Sequence, residues 1–149
     1  MIRKIAVQPE DFDTGAELAA LSANAGGVAS FIGVVRGDAG DRALAALRLE
    51  HYPGMTEKAL RQMAATAETR WKLSGCTIIH RIGRLTPGQN IVLVATASRH
   101  RADALAATAY LIDQLKTKAP FWKAEECADG TVHWVDARES DEAAAKAWL

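Results

Sequence analysis

Cysteine is nearly absent from this chain. Cys76 and Cys127 are the only two in 149 residues, they stand far apart and they form no C-x-x-C, so neither a zinc site nor a disulfide framework is indicated. An excess of one charge is missing as well. Lys+Arg and Asp+Glu both number 18, so no global field draws the chain to nucleic acid or membrane, and any anion site has to be built locally. No apolar run approaches the length of a membrane span, and the start, Met1-Ile2-Arg3-Lys4-Ile5, lacks a signal-peptide core. A cytoplasmic protein is the expectation. The histidines show no H-E-x-x-H or comparable metal spacing, and there is no Walker loop, G-x-G-x-x-G or G-x-S-x-G elbow. No metal or cofactor is called for. Internal repeats, low-complexity tracts and linkers are also lacking, so residues 1–149 are read as one domain.

What is present is a series of short strands and helices. Ile2 to Val7 alternates as a first strand. Asp13 or Thr14 caps a short helix over Gly15 to Ala23, which Gly26-Gly27 breaks. Val28 to Val35 is a largely apolar strand ending at Arg36-Gly37-Asp38, and Asp38 to Asp41 is a turn or mobile loop. Ala43 to Tyr52 is the next strand, with Ala45, Leu47, Leu49 and His51 on one face and Arg48 and Glu50 on the other. After Pro53-Gly54, Thr56 caps a long helix reaching about Trp71. Past a break at Ser74-Gly75, Cys76 to Leu85 and Asn90 to Ser98 make a hairpin through Thr86-Pro87-Gly88-Gln89. A helix from about Arg101 to Lys118 follows, then strands Phe121 to Cys127 and Thr131 to Val135, and Ser140 to Trp148 is a helix or an ordered tail. Adjacent strand pairs argue for mainly antiparallel sheets, hence an α+β fold.

The stretch around which chemistry gathers is Leu115 to Glu125, with three lysines and two aromatics about a helix stop. Leu105, Thr108, Ala109, Ile112, Leu115 and Lys116 recur at helical spacing, so Lys116 borders an apolar stripe. Pro120 lacks an N–H and pushes Ala119 out of the α region, which ends the helix before it. Phe121, Lys123 and Glu125 then share a strand face. Lys116 and Lys123 stand on either side of a sharp reversal and can converge on one pocket, where an amine beside apolar surface serves as acid, base or nucleophile. Lysines in a last helical turn also suit the macrodipole without any chemistry. Arg36, beside Gly37, suits an anion clamp, although taken alone it needs no explanation beyond an arginine reaching solvent. Ser98-Arg99-His100-Arg101, where a strand feeds a helix, offers free N–H groups and cations to a phosphate or carboxylate. His80 reads as a hydrogen-bonded core histidine, and His51 as structural with a proton-transfer role left open. Arg138-Glu139-Ser140-Asp141 reads as a solvated face that can reach a neighbouring subunit. The residues together suggest a site for an anionic small molecule. A lysine-dependent lyase, a phosphate-ester enzyme or a non-catalytic binding module all fit that description.

Several segments resemble the catalytic subunits of molybdopterin synthases: Phe31 to Arg36, Leu49 to Met55, His80-Arg81-Ile82-Gly83, Ser98 to Arg101, Leu115 to Lys123 and Trp134 to Ser140. They run in the family order from about Val28 to the end, and the first 25 residues match poorly. The resemblance implies an α/β-hammerhead fold with an additional small antiparallel sheet. It implies a homodimer, each subunit of which binds one small ubiquitin-like sulfur carrier to form a heterotetramer. The activity it implies moves sulfur from the carrier's thiocarboxylated Gly-Gly terminus onto cyclic pyranopterin monophosphate, making the molybdopterin dithiolene. Sulfur arriving on a partner accounts for the lack of a reactive cysteine pair. Position by position, the resemblance makes Lys116 and Lys123 catalytic. It assigns Val34, Val35, Arg36, His100, Arg101, Lys116, Lys123, Ala124 and Glu125 to substrate binding, and Arg138 to a contribution from the partner subunit.

Overall fold

The computed structural model describes residues 1–135 and 139–148. Along the chain run β1 (Ile2–Gln8), α1 (Thr14–Leu21), β2 (Gly27–Val34), β3 (Asp38–Ala39), β4 (Arg42–His51), α2 (Met55–Arg70), β5 (Leu73–Arg81), β6 (Gly83–Leu85), β7 (Asn90–Ser98), α3 (Arg101–Lys118), β8 (Phe121–Cys127), β9 (Val132–Val135) and α4 (Glu139–Lys146). Two sheets share the strands. The first has the order β1-β5-β7-β2, with β1 parallel to β5 and the other pairs antiparallel. The second is wholly antiparallel, β3-β4-β8-β9 with β6 also against β4. The expected α+β class is what the chain adopts, with a four-stranded mixed sheet and a five-stranded antiparallel sheet of mostly shorter strands.

Strands β5 and β7 are apolar on both faces because helices cover both. Leu60, Met63 and Ala64 of α2 and Leu111 and Leu115 of α3 pack on Cys76, Ile78, Val92 and Val94. On the opposite face, Leu21 of α1 packs with Ile79, Leu93, Ala95 and Ala97. Gly75 permits that approach, since a Cβ there would lie 2.7 Å from Leu21 Cδ2. A third cluster, Val35, Leu47, Leu49 and Leu85, ties the second sheet to the end of β2. Trp122 and Trp134 stand exposed on the second sheet.

Local boundaries move where long-range contacts outweigh local signals. Helix α2 ends at Arg70, ahead of Ser74-Gly75, but β5 starts at Leu73 rather than Cys76 and runs through that pair. The run Cys76 to Leu85 is not one strand. It turns at Ile82-Gly83, with Gly83 at φ 90°, so that β6 leaves for the second sheet. Asp38 to Asp41 belongs to a tight hairpin in which Asp38-Ala39 pairs with Arg42-Ala43. Asp13 does cap α1, its Oδ1 accepting the Ala16 N–H at 3.1 Å. Helix α2 begins one residue before Thr56, whose buried hydroxyl instead donates to the Tyr52 carbonyl at 2.9 Å and accepts the Tyr52 N–H at 3.0 Å. On α3 the buried face is Ala104, Ala107, Thr108, Leu111 and Leu115, while Leu105 and Ala109 are exposed. Helix α4 settles the form of the C-terminal segment. Gln114 Nε2 donates to the Ala145 carbonyl at 3.1 Å, and Trp148 Nε1 donates to Asp113 Oδ2 at 2.7 Å. The Trp148 ring meets Trp71 and Tyr110 edge-on, with the Arg70 guanidinium 5.4 Å from its centroid.

Candidate active site

Pro120 shapes the centre of the molecule. Ala119 before it is extended, φ −85° and ψ 137°, which ends α3 at Lys118 and launches β8 at once. The reversal leaves Lys116 in the last helical turn and Lys123 on the third residue of the strand. On β8, Phe121, Lys123 and Glu125 lie opposite His51, Leu49 and Leu47 of β4. These residues, apart from His51, join Val34, Val35 and Arg36 at the end of β2, His80 at the end of β5 and Ile112 and Lys116 of α3. Together they enclose a cavity of about 630 Å³ between the two sheets.

Both lysines line this one cavity. Lys116 is exposed and Lys123 half-buried, so one stands at the mouth and the other deeper along the wall. Val35 is buried and its backbone is tied to the β6–β7 turn, its N–H donating to the Gln89 carbonyl and its carbonyl accepting from Gly88 N–H, both at 2.9 Å. That pairing fixes where Arg36 leaves the strand. Glu125 brings a carboxylate to the same wall. Among the described residues no cluster of His, Cys, Asp and Glu has the geometry to hold a metal, and no described helix is long and apolar enough to cross a membrane.

A family model described as MoaE protein matches residues 7–118. The chain belongs to the MoaE protein family. A molybdopterin synthase catalytic subunit of Mesorhizobium japonicum is 51% identical over 148 residues, covering 97% of this chain and 92% of the relative. The molybdopterin biosynthesis MoaE protein of Burkholderia ambifaria superposes with a TM-score of 0.83 at 48% identity, over 99% of this chain and 98% of that one. The molybdopterin synthase of Staphylococcus aureus gives 0.82 at 31% identity, over 87% and 95%. Membership of the MoaE family therefore extends to the N-terminal side of Val28. The first 25 residues are not the outlier that short motifs suggest, because β1 and α1 are parts of the shared fold.

Against this MoaE frame the expected site residues divide. Val34, Val35, Arg36, Lys116, Lys123 and Glu125 come together in the cavity. Ala124 does not line it. As the neighbour of Lys123 on a strand it points to the other face, where it is fully buried opposite Arg48 and Trp134. His100 and Arg101 lie at the N-terminus of α3, exposed, about 22 Å along the helix from Lys116. Within one chain they belong to a different end of the molecule. Arg138 lies outside the described residues. His80, read as a core histidine, is indeed buried and hydrogen-bonded, yet it also lines the cavity. Its place at the end of a strand, just before the Gly83 turn, is the sequence signal that marks it.

Proposed function

We propose that this chain is the catalytic subunit of a molybdopterin synthase, an enzyme that moves sulfur from the thiocarboxylated C-terminus of a small ubiquitin-like carrier onto cyclic pyranopterin monophosphate. The observation that carries this reading is the single cavity shared by Lys116 and Lys123 in a MoaE-family chain. The carrier tail and the substrate phosphate are both anions, which suits a cavity lined by Arg36 and two amines. The chain offers no competing sulfur nucleophile. Burial pushes the Cys76 thiol up to about 12, with Glu68 adding to it, and Cys127 is buried as well. Lys116 orients the thiocarboxylate and assists attack and acyl release, and Lys123 stabilises the negative charge that develops. Arg36 holds the phosphate as its cyclic ester opens. We place this chemistry in the cytoplasm.

His100 and Arg101 join the site from a second copy. Leu105, Ala109 and Lys116 are exposed along α3 at helical spacing, and Leu105 is 62% exposed. Two such helices packed antiparallel about a two-fold axis near Ala109 put the partner subunit's Arg101 level with Lys116. The homodimer then completes each cavity, and a carrier at each mouth makes the heterotetramer.

The test is direct. The purified chain, given thiocarboxylated carrier and cyclic pyranopterin monophosphate, should yield the dithiolene, and Lys116→Ala should abolish it with the complex still assembled. Absence of dithiolene overturns the reading. Borohydride trapping at Lys116 would point to a Schiff-base lyase instead, and full cellular function of Lys116→Ala to a docking module.

A further inference from the structure

The cavity contains a polar group that the synthase reading leaves unused. His80 is only 5% exposed and lines the same cavity as the two lysines. Its Nδ1 lies 2.7 Å from the Arg81 carbonyl oxygen. A carbonyl only accepts, so Nδ1 carries the hydrogen and Nε2 keeps a bare lone pair. Phe121 stacks on the ring at 3.8 Å with the planes 19° apart, which fixes its tilt. With Nδ1 committed and one ring face covered, Nε2 is the remaining polar atom of a ring that lines the cavity. Lys116 from α3, Lys123 from β8 and His51 from β4 face it. Behind His51, Glu57 Oε1 of α2 stands 3.6 Å from the His51 Nδ1. Burial foremost, reinforced by Lys116, His51 and Lys123 against the Arg81 hydrogen bond, pulls His80 down to about 4. The ring is therefore neutral at physiological pH.

We propose that His80 is a catalytic residue of acyl release, its Nε2 accepting a proton from the water that cleaves the thioester between the carrier's last residue and the substrate sulfur. This inference rests on the synthase reading. The water oxygen bonds to the acyl carbon, the C–S bond breaks, and its electron pair leaves on sulfur as a thiolate. One water proton is held by His80 and passes to that thiolate or to solvent, and the other is lost as the new carboxylic acid ionises. No oxidant or reductant takes part. An ammonium group donates and does not accept, so a charged lysine cannot fill this role, whereas a neutral imidazole can.

Single-turnover sulfur transfer, followed by mass spectrometry of the intact carrier, separates attack from release. His80→Asn keeps a donor near the Arg81 carbonyl and loses the distal acceptor, and His80→Gln returns an amide oxygen close to the Nε2 position. The Asn variant should accumulate a covalent carrier–pterin adduct, with attack unchanged and release slowed about 100-fold, and the Gln variant, whose amide oxygen accepts a hydrogen bond but takes up no proton, should accumulate it as well. Release by His80→Asn at the unmodified rate overturns the proposal, as does slowed attack with no adduct. Should both variants fail to fold, nitrogen NMR of the unmodified complex decides: His80 Nε2 should be unprotonated from about pH 8 to pH 5, and a hydrogen on it overturns the proposal. An unmodified chain that forms neither adduct nor dithiolene overturns the synthase reading and this inference together, whereas full release by the Asn variant overturns this inference alone.

Discussion

Lys123 and Ala124 are adjacent on β8 and face opposite ways, one into the cavity and the other into packing beneath Arg48 and Trp134. Substitutions at the two should fail differently. Lys123→Met is expected to lower product formation by about 100-fold while the fold persists, since it removes charge stabilisation and little volume. Ala124→Leu is expected to cost about 1–3 kcal/mol through overpacking, read from urea unfolding. His80 gives a second residue-level prediction, through pH. Its folded value, about 4, lies below the ordinary 6.5, so between these values the unfolded chain binds more protons. The contribution of neutral His80 is full above about pH 6.5 and falls as the pH drops towards 4, by about 3 kcal/mol in all. Urea titrations from pH 8 to pH 4 should show that slope in the unmodified chain and a flatter one in His80→Gln.

At the scale of elements, α4 depends on the turn that follows it. Trp148 meets Trp71 and Tyr110 edge-on, donates to Asp113 and offers its carbonyl to Arg70 at 2.6 Å. Trp148→Ala should cost about 2 kcal/mol from the lost ring contacts and the hydrogen bond, and should speed amide exchange in α4 ahead of the sheets. The same elements mark how far the sequence could be read. The limits of α3 were legible because Pro120 punctuates its end and the 98–101 turn its start. The buried face of α3 was less so: Leu105 is as apolar as Leu111, and only the third dimension tells a core leucine from one on an outer face. The passage of β5 into β6 was hidden for a similar reason, since residues on either side of Gly83 keep a strand-like pattern while changing sheets. The convergence of Lys116 and Lys123 could be anticipated because both depend on local geometry around one proline. The separation of His100 and Arg101 from them could not, because helix length had to be weighed against an unknown partner.

The whole molecule tests the two-copy reading. If each cavity combines Lys116 of one copy with the partner subunit's Arg101, a Lys116→Ala chain and an Arg101→Ala chain should each be inactive alone. Refolded together in equal amounts they should regain about a quarter of the activity, because half the dimers are mixed and each carries one intact site. No recovery, with mixed dimers demonstrated by mass, would overturn the two-copy reading.

The four tryptophans of the chain fall into two pairs, Trp71 with Trp148 beside Tyr110, and Trp122 with Trp134 on the uncovered second sheet. The molecule therefore carries two native optical reporters of different colour. The first pair should emit towards the blue and resist iodide, and the second should emit towards the red and be quenched readily. A protein settling over the second sheet would shield only the red component, so its arrival could be timed in a stopped-flow cuvette without attaching any dye.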